Sequence, residues 1–168
     1  RSTLSSSSAA SDVYKRQKED NKMAISSSTV TTSFKTQVLQ GTHNFTASSG
    51  DTFKIALYTN SSNLSASTAT YADGTATNEY SGTGYTGGGN TLTSVTPVAD
   101  GTTAVCDFAD TSWTSATITA HGALIYNSSA SNKAIAVFSF GSNVASTAGD
   151  FTVIFPTADA SNAVIRIT

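Results

Sequence analysis

The string Gly82-Thr83-Gly84-Tyr85-Thr86-Gly87 matches G-x-G-x-x-G letter for letter. A dinucleotide site needs such a string to leave a strand and open a helix, because the helix N-terminus holds the pyrophosphate. Here Gly88, Gly89 and Asn90 follow, and then the β-formers Thr91 to Val95. The segment therefore reads as a Gly-rich connector that tolerates positive φ or close backbone approach, and no cofactor is expected. His43 and His121 are the only histidines, and Cys106 is the only cysteine. Zinc needs a fuller ligand set at short spacings, so no metal site is expected. Cys106 alternates with Ala104 and Phe108, the pattern of a small buried apolar residue. Nothing adjacent in sequence would activate its thiol, although a Cys–His pair assembled by the fold stays open.

From Met23 onward the acidic residues are Asp51, Asp73, Glu79, Asp100, Asp107, Asp110, Asp150 and Asp159. Most fall in turn-like contexts, where Asp caps backbone N–H groups. A glycosidase needs two facing carboxylates, and scattered Asp with one Glu does not supply them. Trp113 stands alone among Ser and Thr; it fits a core or interface aromatic, with a sugar-stacking platform as the alternative. No catalytic residue is expected, and the chain is read as a non-enzyme.

The elements that would position these residues are mostly strands. Thr52 to Tyr58 alternates, with Phe53, Ile55 and Leu57 on one face. Further strands are expected at 91–98, 102–108, 116–126, 134–140, 151–155 and 163–167, separated by turn signals such as Asp100-Gly101 and Asn127-Ser128-Ser129. One helix is expected over 32–41: Phe34 and Val38, with Leu39, share a face, Ser33 caps the start and Gly41 ends it. Short strands at this spacing predict an all-β fold, an antiparallel two-sheet β-sandwich of jelly-roll or immunoglobulin-like type, with one short N-terminal helix.

Composition narrows the function. Nine Lys and Arg stand against eleven Asp and Glu, and charged residues are 12% of the chain. Nucleic-acid backbones need clustered cations, so no nucleic-acid partner is expected. No apolar run reaches membrane-spanning length, so no membrane partner is expected.

Residues 1–22 break from the rest: they carry five of the nine basic residues in a segment with no hydrophobic periodicity. Ser8 to Gln17 resembles translated sequencing-adapter DNA, and Lys18 to Met23 can be encoded by a purine-rich ribosome-binding site, a spacer and a start codon. Residues 1–22 are therefore expected to be an artefactual or disordered leader, and residues 23–168 a single β-sandwich domain.

An ordered set of segments in that domain resembles a family of small virion structural proteins of tailed bacteriophages, common in marine and metagenomic phage genomes. The segments are Phe34 to Phe45, Asp51 to Thr59, Asn78 to Tyr85 with Gly87-Gly88-Gly89, Asp107 to Trp113, Gly122 to Asn127, Ala136 to Gly141 and Gly149 to Pro156. The resemblance implies a non-catalytic particle component of the head, neck or tail, located in the virion and assembled in the bacterial host cytoplasm. It implies other virion proteins as partners and a homo-oligomeric state. The alternative is a carbohydrate-binding or adhesive β-sandwich module, with Trp113, Tyr71, Tyr80 and Tyr85 lining an exposed face.

Overall fold

A computed structural model describes residues 22–24, 29–75 and 78–168. The expected leader lies outside these residues except for Lys22, which opens the first strand. Along the chain run β1 (Lys22–Ala24), β2 (Thr29–Val30), helix α1 (Thr32–Leu39), β3 (Phe53–Tyr58), a short helix α2 (Tyr71–Thr75), β4 (Asn90–Thr91), β5 (Ser94–Asp100), β6 (Thr103–Phe108), β7 (Thr111–Asn127), β8 (Lys133–Ile154) and β9 (Ile165–Ile167). The fold is an all-β sandwich. One sheet has the order β1-β8-β7-β3-β4, with β2 also on β8; the other is β5-β6-β9. Every pairing is antiparallel except β1 on β8.

The β7–β8 hairpin dominates. Its ladder runs from Thr111↔Val153 to Asn127↔Lys133 and is broken by register shifts. The largest lies between Ala120↔Val144 and Gly122↔Ser139, where β8 carries the extra residues and Gly141 sits at φ 72°. Such insertions bend a strand and increase its twist. Sequence patterning suggests two strands, 134–140 and 151–155, where the fold has one. Residues 141–150 are small and polar, so they carry no apolar run, yet they continue the ladder.

Residues 91–98 behave in the opposite way, splitting between the sheets. β4 pairs with β3, the chain crosses over at the buried Leu92, and β5 then pairs with β6. β5 lies at a sheet edge, where Pro97, which lacks an N–H, is tolerated.

Helix α1 is capped by Thr31 rather than Ser33: the Thr31 hydroxyl accepts from Phe34 N–H at 3.3 Å. At the other end Thr42 N–H reaches Gln37 O, and Gly41 N–H reaches Val38 O. Gly41 adopts φ 66°, completing a Schellman motif. Phe34 is buried, but Leu39 is 89% exposed and does not join the helix's inner face.

The main core lies between the sheets and α1. It joins Phe53, Ile55 and Leu57 of β3 to Phe108, Trp113, Ile118, Phe138, Phe151 and Phe34. The other face of β3 is buried as well. Ala56 and Tyr58 pack with Leu124, Tyr126 and Ala134 beneath Leu64 and Tyr71 of the 59–80 connection. The central strands are thus covered on both sides, and the simple alternation of β3 marks only one of its two buried faces.

Truncating Ile55 or Leu57, both fully buried, to Ala is expected to lower unfolding free energy by about 2–5 kcal/mol in denaturant titration. A second pair tests the Gly-rich connector. Gly89 sits at φ 68°, and a Cβ there would overlap the Ile55 carbonyl; Gly87 has open space. Gly89→Ala is expected to cost at least about 1–3 kcal/mol from its backbone conformation alone. Gly87→Ala is expected to leave thermal unfolding nearly unchanged.

Candidate functional site

At one end of the sandwich α1 does not close fully against the second sheet. A cleft of about 120 Å³ remains there. Phe34 and Val38 of α1, His43 and Phe45 of the following loop, and Pro97, Cys106 and Ile167 of β5, β6 and β9 form most of its wall. The exposed large apolar residues among the described ones are Leu39, Val95, Val98 and Ile167. Of these, Ile167 lines the cleft itself, so the opening carries one exposed apolar side chain.

The cleft also brings His43 and Cys106 together, a juxtaposition invisible in the sequence. The geometry does not make them a nucleophile and base. Burial, reinforced by the charge of Asp107, pushes the Cys106 thiol up to about 12, so it stays protonated at neutral pH. Both ring nitrogens of His43 are engaged: Nε2 meets Gln37 Oε1 at 2.9 Å, and Nδ1 meets Asn127 Nδ2 at 2.9 Å. His121 lies elsewhere, on β7, with its Nδ1 3.1 Å from Asn143.

A second polar cluster centres on Glu79, outside the β3 face that carries Tyr58. Its carboxylate accepts from Tyr71 OH at 2.6 Å, from Tyr85 OH at 2.7 Å and from Gly88 N–H at 2.7 Å. Tyr126 OH donates to Gly88 O at 2.8 Å, and Tyr85 OH accepts from Leu57 N–H at 2.9 Å. The Gly-rich connector is thereby tied to β3 and β7. It leads into β4, not into a helix, and Gly84, at φ 81°, approaches within 2.6 Å of Ala116 when a Cβ is placed on it. Burial raises the Tyr58, Tyr71, Tyr85 and Tyr126 hydroxyls above the usual phenol range, Tyr126 to about 12. Tyr71, Tyr85 and Tyr126 donate hydrogen bonds and hold structure, whereas the Tyr58 hydroxyl is buried without a partner.

The remaining carboxylates mostly do the capping expected of them. Asp73 accepts from Ala69 and Thr70 N–H, Asp150 from Ser115 N–H, Asp110 from Phe155 N–H and Asp100 from Ala160 N–H. Among the described residues no three His, Cys, Asp or Glu side chains gather as a metal ion would require. Trp113 is buried, stacked at 5.9 Å on Tyr85 and edge-on to Phe151. Tyr80 donates its hydroxyl to Thr117 O. The aromatics considered for a sugar platform are therefore packed inward or tied down.

No protein-family model, curated protein or solved structure matches the chain. Among the described residues no helix is long and apolar enough to cross a membrane.

Asp107 offers a direct electrostatic test. Its Oδ1 is buried without a hydrogen-bond partner, and desolvation, followed by repulsion from Asp110, raises its pKa. The native state thus disfavours the charged carboxylate relative to the unfolded chain. Stability is lost as pH rises from the unfolded value of 3.8 through the raised native one, and stays lost at neutral pH. Asp107→Asn is expected to raise the unfolding temperature at pH 7, with the advantage shrinking as pH falls towards 3.8.

Proposed function

We propose that this protein is a non-catalytic structural component of a tailed-bacteriophage particle, an accessory part of the head, neck or tail, which assembles with copies of itself and with other virion proteins. The observation that carries this reading is the exposed apolar surface of the chain: Leu39, Val95, Val98 and Ile167 face solvent, and Ile167 lines the apolar opening between α1 and the β5-β6-β9 sheet. A weakly charged chain supports it further, since Ser, Thr and apolar surface is cheaper to desolvate than charged surface. The ordered resemblance of segments between residues 34 and 156 to small phage virion proteins supports a phage particle as the assembly, and with it a virion location reached by assembly in the host cytoplasm.

The alternative, a glycan-binding or adhesive module, needs solvent-facing aromatic rings. Trp113 is 4% exposed, and the hydroxyls of Tyr71, Tyr80 and Tyr85 are spent on internal hydrogen bonds. The exposed aliphatic opening is better suited to a protein surface.

Sedimentation velocity over a wide concentration range tests the self-assembly. The wild-type chain is expected to associate. A Val98→Glu, Ile167→Glu double variant is expected to weaken association about tenfold or more. Its unfolding temperature should stay close to wild type, because both side chains are more than half exposed. A strictly monomeric wild type, or a double variant that associates equally well, would overturn this use of the opening.

A further inference from the structure

The His43 contacts contain a hydrogen-bonding constraint that bears on the cleft. Asn127 is fully buried, and its amide has a fixed orientation. Its Oδ1 accepts from Ser129 N–H at 3.0 Å and Ala130 N–H at 3.1 Å, which fastens the β7–β8 turn. Its Nδ2 donates to Asp51 Oδ2 at 2.7 Å, and Asp51 Oδ2 also accepts from Asn44 N–H at 2.9 Å. Turning the amide over would break both turn bonds and set an oxygen against a carboxylate. The group 2.9 Å from His43 Nδ1 is therefore an NH2 donor, and Nδ1 must be the bare acceptor. The ring proton then sits on Nε2 and donates to Gln37 Oε1 of α1.

We propose that His43 is a proton-operated latch: neutral, it bridges α1 to the β7–β8 turn; protonated, it can no longer accept from Asn127 and leaves that position, carrying the cleft wall with it. A proton on Nδ1 sets two donors face to face. The relieving move is a short one, because Asp51 Oδ2 already lies against the same Asn127 nitrogen. His43⁺ can exchange Asn127 for the Asp51 carboxylate, which releases Asn127 and, through it, the turn at 128–130. The ring cannot shift alone, since it packs against Phe34 at 5.3 Å and Phe45 at 6.2 Å, and all three line the cleft.

The charges facing the ring come from three directions. Asp51, on the loop before β3, favours the cation; Lys133, at the start of β8, opposes it; Cys106, across the cleft on β6, stays neutral. Burial is the largest influence and also opposes the cation, so His43 titrates below its usual 6.5. Its contribution to stability is therefore complete above 6.5 and is lost as pH falls from there through the lowered native value. The latch belongs to the folded chain and operates whether or not the opening meets a partner.

NMR of the full chain from pH 8 to pH 4.5 tests this directly. At the alkaline end the His43 ring is expected as the Nε2–H tautomer. On acidification the His43 ring, the Ser129 and Ala130 amides and the α1 amides are expected to move together, with one midpoint below 6.5. His121, bonded to Asn143 elsewhere on β7, supplies an internal reference ring. Thermal unfolding supplies a second measurement: the fall in unfolding temperature between pH 7 and pH 5 should be reduced in His43→Gln and retained in His121→Gln. Ser129, Ala130 and α1 amides that stay fixed while His43 titrates would overturn the latch. So would an Nδ1–H tautomer at pH 8.

Discussion

The backbone ladder between β7 and β8 is the constraint on which the rest of the molecule depends. β3 and β4 stack outward from β7, while β1 and β2 lie against the far edge of β8. Residues from both strands of the hairpin fill the main core. A ladder this long would twist away from a compact sandwich if it were regular. The shifts at Trp113/Ala116, Ala116/Ile118 and Ala120/Gly122 bend it instead. Gly122 marks the tightest place, where any Cβ would strike the Phe138 carbonyl. The hairpin turn then matters beyond its own residues, because Asn127 holds its backbone and also reaches Asp51 and His43.

Polar groups do their work here by fastening connections to this frame. Glu79 is the clearest case. One carboxylate gathers two phenols and a backbone N–H, and so ties the Gly-rich connector to β3 and β7. Charge-assisted hydrogen bonds of this kind are stronger than neutral ones, and they suit a long connection that has little apolar material of its own. The string that resembles a nucleotide-binding motif in isolation is used for close backbone approach, with Gly84 on Ala116, and Gly89 just beyond it lies on Ile55.

How much of this could be read from the chain depended on whether the signal was local. The all-β class and the Phe53, Ile55, Leu57 stripe follow from alternation within a few residues. Burial of Ala56 and Tyr58 does not, because it is imposed by Leu64 and Tyr71, which fold back over β3. Residues 141–150 hide their strand because Ser, Ala and Gly give no apolar period, whereas residues 91–98 hide a change of sheet inside one β-forming run. Leu39 matched the helical spacing of Phe34 and Val38, but it falls on the last turn, beyond the reach of the core. The cleft was the least legible feature. It joins α1, a loop and three strands, and the His43–Asn127 bond that shapes it spans 84 positions.

The picture that emerges is a sandwich with an apolar cleft beside α1, its wall held by His43. If the proposed assembly in a phage particle holds, the exposed apolar side chains lose solvent there. Covalent surface labelling read by mass spectrometry, comparing the free chain with the chain inside purified phage particles, tests this most directly. Leu39, Val98 and Ile167 are expected to label in the free chain and to be protected in the particle. Absence of the chain from the particle, or equal labelling of these three residues in both states, would contradict the assignment.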